Sequence, residues 1–271
     1  MDSKKIQILL TNDDGIESPG LWAAAEALSE IGYVWVTAPR DQASSTGRSM
    51  PHSSDGLITE QQMVVNGTEW TVYAVGGTPA QTVQHAVIEI IGKKPDLVVS
   101  GINYGLNLGT GITISGTVGA AMEAASFGVP ALAVSLETAK EHHLTYSTEI
   151  DFSCAARFTK VFAQKMLTGQ FDPRVQVLKI EVPKGAGANT QWMLTRLALE
   201  RYYYPVAPTR ESWDIPGSVG YNMVDDLSGF TPGSDTYTVL VDKKVAVTPI
   251  SLDMTANVAF KELEDQLRQG E

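Results

Sequence analysis

The sequence predicts an α/β fold in which helices cover both faces of a parallel β-sheet. Two observations lead to this prediction. The strand-like segments of the first half are apolar along their whole length, which is typical of strands buried on both faces. Helix-like segments separate them, so that successive strands can pair in parallel. The predicted strands are residues 6–11, 33–38, 70–75, 96–102 and 131–136.

The helices between these strands are marked at their starts. Ser-Pro at positions 18–19 and Thr-Pro at positions 78–79 each combine a capping side chain with a proline suited to the first helical turn. They predict helices over residues 19–31 and 79–91, and a third helix begins near Thr117 after a glycine-rich loop. Each helix therefore lies between two predicted strands.

The pattern changes in the last third of the chain. Residues 200–235 are rich in Tyr, Pro and Gly without a clear period, and we expect them to be irregular. Residues 236–251 alternate like a β-hairpin that turns at Lys243-Lys244, and residues 255–269 form an amphipathic helix. A lone hairpin followed by such a helix needs apolar surface to cover it, so at least a dimer is expected.

Length and composition limit the function. The chain has 271 residues, of which 43% are hydrophobic, and a single domain over residues 1–271 is expected, with a core over about 1–185 and the C-terminal elements over about 186–271. The formal net charge of −11 argues against a nucleic-acid polymer or an anionic membrane as the main partner. Neither a signal peptide nor an unbroken apolar span is evident, so a cytoplasmic protein is expected.

Two adjacent carboxylates follow the first strand. Asp13 and Asp14 precede Gly15, where a turn can bring both side chains to one point. Two carboxylates that close raise each other's pKa or need a positive charge between them, which a divalent cation would supply. The alternative is a solvated turn that caps the following helix, because Asn-Asp-Asp-Gly is also good turn chemistry.

Further polar side chains follow other predicted strands. Ser44 comes after the second strand and Asn103 after the strand over residues 96–102, so both are expected at the ligand-binding edge of the sheet. Aspartate, serine and asparagine supply oxygen atoms suited to Mg²⁺, Mn²⁺ or Ca²⁺ rather than Zn²⁺. None of the four histidines lies in these strand-end motifs.

A helix start supplies a candidate anion site. Ser115, Gly116 and Thr117 form a small-residue turn whose backbone N–H groups and positive helix end would face a phosphate. Such a turn is by itself more often an ordinary helix cap. Next to an acidic pair it favours phosphoryl chemistry, with Asn12 holding a further phosphate oxygen.

Six segments in order along the chain carry a combined signal. They are TNDDG at 11–15, APRDQASSTG at 38–47, GTPAQ at 77–81, SGINYGLNLG at 100–109, SGTVGAAME at 115–123 and VTPIS at 247–251. Together these segments resemble the SurE family, the stationary-phase survival nucleotidases. The resemblance covers most of the chain, and the segments are specific in combination although each is weak alone.

The resemblance implies a metal site. The family's ligands are two adjacent aspartates, a serine and an asparagine, which fall here on Asp13, Asp14, Ser44 and Asn103. Ser45 adjoins Ser44 and is an alternative serine ligand. The basic residue that commonly precedes the serine is Ala43 here, so Arg40 and Arg48 become candidates for its phosphate contact, with surface solvation as the alternative.

The resemblance also implies a fold and an activity. The fold is a Rossmann-like core with a C-terminal β-hairpin and helix used in a homodimer or homotetramer. The activity is that of a 5′-nucleotidase, which hydrolyses nucleoside monophosphates with one divalent cation per subunit, Mg²⁺ or Mn²⁺ before Ca²⁺. Asp13 and Asp14 are then the catalytic pair, acting through a metal-activated water. Hydrolysis of 3′-nucleotides and of polyphosphate is a further expectation.

Two other readings use the same acidic pair. Asp13 could act as a nucleophile and form an aspartyl-phosphate, but phosphatases of that type carry DxD, whereas Asp13 and Asp14 are contiguous. A receiver-like signalling module also binds Mg²⁺ with an acidic pair, but Asn103 stands where its phosphoacceptor aspartate would be. Metal-dependent hydrolysis is therefore favoured.

Overall fold

A mostly parallel β-sheet runs through the protein, as the sequence predicts. The computed structural model describes residues 5–143 and 145–269. The strands are β1 (Gln7–Thr11), β2 (Tyr33–Pro39), β3 (Ile58–Val65), β4 (Thr68–Val75), β5 (Leu97–Tyr104), β6 (Ala131–Leu136), β7 (Val177–Val182), β8 (Trp192–Leu194), β9 (Tyr203–Val206), β10 (Gly220–Met223) and β11 (Val245–Ile250). The helices are α1 (Pro19–Ser29), α2 (Pro79–His85), α3 (Gly116–Ser126), α4 (Ser153–Thr168), α5 (Asp235–Leu240) and α6 (Phe260–Leu267).

Nine of the strands in the described ranges form one sheet. Their order is β3-β4-β2-β1-β5-β6-β7-β11-β8. In this spatial order, the six neighbouring strands β4-β2-β1-β5-β6-β7 pair in parallel, whereas β3 is antiparallel to β4 and β11 is antiparallel to β7. The carboxyl ends of β1, β2 and β5 therefore meet at one edge, which is where ligands bind in such sheets.

The apolar strands are buried on both faces, which confirms the reason for predicting a parallel sheet. Ile8 and Leu10 of β1 pack in one core cluster with Leu21 of α1, and α4 covers the same face. Leu9 points the other way and packs in a second cluster with Val118 of α3. Because successive side chains of a strand alternate between faces, helices on both sides favour apolar residues at successive positions of the strand.

The hairpin predicted over residues 236–251 is wrong in its first half. Thr236–Leu240 belongs to α5, whose start is capped by the Ser234 hydroxyl accepting a hydrogen bond from the Tyr237 backbone N–H at 3.2 Å. The alternating β-branched residues suit a strand, but the cap and the burial of Val239 and Leu240 stabilise a helix. The second half is a strand, β11, as expected.

An antiparallel hairpin does lie in the C-terminal region, within the segment predicted to be irregular. It consists of β9 and β10, with Tyr203 opposite Met223 and Val206 opposite Gly220. The sequence analysis also missed β3, which pairs with β4 through a turn in which Asn66 and Gly67 have positive φ. These strands are largely exposed and carry no continuous apolar run.

The last helix is shorter than predicted. It begins at Phe260 rather than at residue 255, and the described residues from 253 onward are exposed. Within the described residues, no helix combines the length and apolar composition needed to cross a membrane.

Candidate functional site

The acidic pair lies in a tight turn at the carboxyl end of β1. The Asn12 side chain builds this turn: its Nδ2 donates to the Gly15 carbonyl at 2.9 Å, and its Oδ1 accepts from the Gly15 N–H at 3.1 Å. Gly15 has a φ of +98°, which disfavours residues with a side chain. Asn12 is fully buried in this role, and its contact with a phosphate stays a prediction.

Asp13 and Asp14 are both buried, and burial raises the pKa of each. Asp13 is 4% exposed, and its pKa is raised to about 6 despite a 2.6 Å hydrogen bond from the Thr117 hydroxyl to Oδ1. Asp14 is 1% exposed, and burial together with the charge of Asp13 raises its pKa well above the usual range. Asp14 accepts hydrogen bonds from the Tyr104 N–H at 3.2 Å and from Gln42 at 3.3 Å.

The donor set fits a divalent cation. Within residues 5–143 and 145–269, no Lys, Arg or His forms an ion pair with Asp13 or Asp14. The same residues contain no group of three His, Cys, Asp or Glu side chains that could hold a metal. A metal at the pair would therefore draw its other protein ligands from neutral oxygens, as the Asp, Ser and Asn set provides.

The other predicted ligands open onto the same cleft as Asp13. Ser44 and Ser45 line it from the loop after β2, and Asn103 lines it from β5. The Asn103 Nδ2 donates to the Gly105 carbonyl at 2.8 Å, which leaves its Oδ1 as the atom for a ligand. The cleft therefore brings together one carboxylate and neutral oxygens, and Asp14, the neighbour of Asp13 in the chain, is not among its lining residues.

The predicted anion site is the start of α3. The Ser115 hydroxyl accepts a hydrogen bond from the Val118 N–H at 3.1 Å, so it caps the helix. A Cβ atom on Gly116 would lie 2.7 Å from the Asp13 Cβ, which explains the glycine. The Thr117 hydroxyl donates its proton to Asp13, whereas the Ser115 hydroxyl only accepts a hydrogen bond and keeps its own proton. The donors available to a phosphate here are therefore backbone N–H groups and the Ser115 hydroxyl.

Neither arginine suggested from the sequence lines this cleft. Arg40 pairs with Asp41 at 3.0 Å and with Asp55 at 3.1 Å, and Arg48 pairs with Glu123 at 2.6 Å. Among the described residues, the one Lys or Arg side chain that lines the cleft is Arg201, from the segment predicted to be irregular.

One wall of the cleft was missed by the sequence analysis. The cleft has a volume of about 560 Å³, and the β9–β10 hairpin and His143 form the missed wall. The Tyr203 hydroxyl donates to the Leu106 carbonyl at 2.9 Å, and the His143 Nδ1 lies 2.9 Å from the Tyr221 hydroxyl. No local motif marks these residues, because they come from segments that are far apart in the sequence and meet only in the folded chain.

Comparison with known proteins gives consistent matches. A family model described as survival protein SurE matches residues 8–204. A curated relative from Thermococcus gammatolerans, named 5′-nucleotidase SurE, is 42% identical over 264 residues, covering 97% of this chain and 96% of the relative. One of the same name from Rubrobacter xylanophilus is 38% identical over 263 residues, covering 96% of each chain. The crystal structure of the Sure protein from Aquifex aeolicus aligns with a TM-score of 0.74 and 29% identity, covering 96% of this chain and 99% of that one.

Proposed function

The chain belongs to the SurE family and is a 5′-nucleotidase, and we propose that it hydrolyses nucleoside monophosphates with a divalent cation at the acidic pair. The observation that carries the proposal is the burial of Asp13 and Asp14 side by side without a basic partner among the described residues, with Asp13 lining a cleft. The residues that would hold the cation are Asp13, Asp14, Ser44 and Asn103.

The cation and the chain have different roles in this proposal. When bound, a divalent cation supplies a Lewis acid for the phosphoryl group and lowers the pKa of a water molecule. The chain holds the substrate: the backbone N–H groups at the start of α3 face the phosphate, and Asn12 keeps the acidic turn in shape. Phosphoryl transfer depends mainly on such positioning and on neutralising charge.

The cleft has the size and lining for the rest of a nucleotide. Its volume of about 560 Å³ falls in the range of small-molecule sites. Tyr203 and Tyr221 supply aromatic surface and Arg201 supplies a positive charge on the wall formed around the β9–β10 hairpin. We propose that this wall contacts the nucleoside, while the α3 start contacts the phosphate.

The two rival readings differ from this proposal in testable ways. An aspartyl-phosphate mechanism would require Asp13 to attack phosphorus, whereas the proposal makes Asp13 a metal ligand and water the nucleophile. A receiver-like module is not retained, because relatives named as nucleotidases match 97% of the chain. Activity on 3′-nucleotides and on polyphosphate is part of the proposal at lower rates.

A panel of phosphate compounds tests the function. In the presence of Mg²⁺ or Mn²⁺, nucleoside 5′-monophosphates are expected to give the highest kcat/KM for phosphate release, followed by 3′-monophosphates and polyphosphate. Cyclic nucleotides are a matched control, because a monoesterase leaves a diester intact. If none of the nucleoside monophosphates released phosphate, the proposal would be refuted.

We also propose that the chain forms a homodimer or homotetramer through its C-terminal segment. Phe260 is 65% exposed, Leu263 40% and Leu267 74%, so the described residues leave much of the apolar surface of α6 uncovered. A second copy would bury them. The hairpin predicted beside this helix no longer supports the argument, because α5 and β11 pack within the same chain.

Light scattering tests the assembly. A mass of at least two chains is expected at micromolar concentration, and Phe260→Glu combined with Leu267→Glu is expected to yield monomers. Glu262→Ala, a change at an exposed polar position of the same helix, is the matched control and should keep the wild-type mass. A monomeric wild-type chain would contradict the proposed assembly.

A further inference from the structure

A cluster of three charged side chains is fully buried within the fold. Lys179 and Glu181 lie on β7, Asp235 begins α5, and each side chain is 0% exposed. The Lys179 Nζ lies 2.9 Å from Asp235 Oδ2 and 3.2 Å from Glu181 Oε1. Removing Lys179 would leave two buried carboxylates without a cation, so the lysine holds both acidic side chains in place.

The buried cluster also fixes the backbone of a loop that lines the cleft. The Lys179 Nζ donates to the Asn107 carbonyl at 2.8 Å, and the Asn107 N–H donates to Glu181 Oε2 at 2.9 Å. Two residues further on, the Gly109 N–H donates to Asp235 Oδ2 at 2.9 Å. Hydrogen bonds to charged groups are stronger than neutral ones, so Asn107 is held on both sides of its Cα.

The side chain of Asn107 points from this anchored backbone toward the acidic pair. Its Nδ2 lies 2.9 Å from the Ser135 hydroxyl and 3.4 Å from the Thr117 hydroxyl. Thr117 is fully buried and donates its hydroxyl proton to Asp13 Oδ1 at 2.6 Å. A hydroxyl has one proton, so once Thr117 donates to Asp13, its oxygen is left to accept from Asn107.

We propose that Thr117 and Asn107 are positioning residues that fix the orientation of the Asp13 carboxylate for the divalent cation. The proposed path is a series of hydrogen bonds. It begins at the buried cluster, continues through the backbone and side-chain amide of Asn107 to the Thr117 hydroxyl, and ends at Asp13. The inference rests on the proposed metal site. It adds a role for the Thr117 side chain that differs from the predicted phosphate contact, which uses the backbone at the start of α3.

The size of the expected effect follows from the behaviour of metal sites in general. Partners that hydrogen-bond to a metal ligand typically change metal affinity by about 10- to 100-fold when they are mutated. Loss of the Thr117 hydroxyl removes the hydrogen bond to Asp13 Oδ1 and leaves the backbone N–H of residue 117 in place. Metal affinity should therefore fall while the helix start keeps its donors.

Thr117→Val and Thr117→Ser form a matched pair for the test. Valine has nearly the shape of threonine without the hydroxyl, and serine keeps the hydroxyl. We expect Thr117→Val to bind Mn²⁺ alone about 10- to 100-fold more weakly than the wild type in isothermal titration calorimetry. Thr117→Ser should bind close to the wild-type value, and thermal unfolding should show that both variants are folded.

A double-mutant cycle tests whether Asn107 acts through Thr117. Asn107→Ala alone is expected to weaken Mn²⁺ binding in the same direction as Thr117→Val, and it gives a second test should the valine variant not fold. The combined variant should bind no more weakly than Thr117→Val alone, because the path to Asp13 is already broken. Losses that simply add would overturn the proposed path.

The outcomes separate this inference from the proposed activity. If the wild type binds Mn²⁺ but hydrolyses no nucleotide, the activity is refuted, and the positioning role is still decided by the Mn²⁺ titrations. Wild-type affinity in Thr117→Val would overturn the positioning role, even in an active enzyme. A wild-type chain that binds no Mn²⁺ would also overturn the positioning role, because Asp13 would then bind no cation.

Discussion

Asp13→Asn and Asp14→Asn are each expected to lower kcat for a nucleoside 5′-monophosphate by more than about a hundredfold. Mutations of residues that only hydrogen-bond to a metal ligand typically lower metal affinity or activity by about 10- to 100-fold. Asp13→Asn and Asp14→Asn each remove a charged ligand itself, so a larger loss is expected. Stability should not fall with activity. Burial raises the pKa of both carboxyl groups, so their ionised forms disfavour the metal-free fold, and a neutral amide relieves that cost.

Steady-state kinetics and urea unfolding of metal-free protein measure these two effects. Asp172→Asn is the control, because Asp172 is exposed and pairs only with Arg174 among the described residues; its kcat should match the wild type. Near wild-type rates for both site variants at saturating substrate would mean that the two aspartates only form a turn and have no role in catalysis. Phosphate trapped on wild-type Asp13 after a rapid quench would instead make Asp13 the nucleophile.

Much of the site could be predicted because its signals are local. Asp13 and Asp14 follow a short apolar strand, and Ser44 and Asn103 lie at or just beyond the carboxyl ends of neighbouring strands. In a parallel sheet these ends meet at one edge, so sequence position alone brings the residues near each other. The structure accordingly has Asp13, Ser44 and Asn103 lining one cleft.

The rest depends on contacts between distant segments. Tyr203, Tyr221 and Arg201 come from a segment without periodicity, and they reach the cleft through bonds such as that from Tyr203 to Leu106. Lys179 and Glu181 lie two residues apart on a buried strand, so their side chains share one face of the sheet. Only Asp235, more than fifty residues later, explains their burial. No local pattern encodes that pairing.

The same distinction explains the error over residues 236–251. Alternating β-branched residues favour a strand locally, but Ser234 caps a helix and Asp235 joins the buried cluster with Lys179. The local cap and the long-range contact of Asp235 together outweigh the strand preference of these residues. Strand β11 was predicted correctly, because its apolar run is buried against β7 in the same way as the earlier strands.

Metal removal is expected to lower activity at least as much as the substitutions of Asp13 and Asp14. Treatment with EDTA should abolish hydrolysis, because without a cation the buried pair repels an anionic phosphate instead of binding it. Mg²⁺ or Mn²⁺ should restore activity, since every proposed ligand is an oxygen atom. The Asp13→Asn protein is a matched control and should stay inactive after either addition.

Phosphate release from a nucleoside 5′-monophosphate, measured with metal-free protein before and after a divalent cation is added, tests the central claim most directly. The claim predicts background rates before the addition and full rates afterwards, with one cation bound per chain. Full activity in a preparation verified to be free of metal would contradict it.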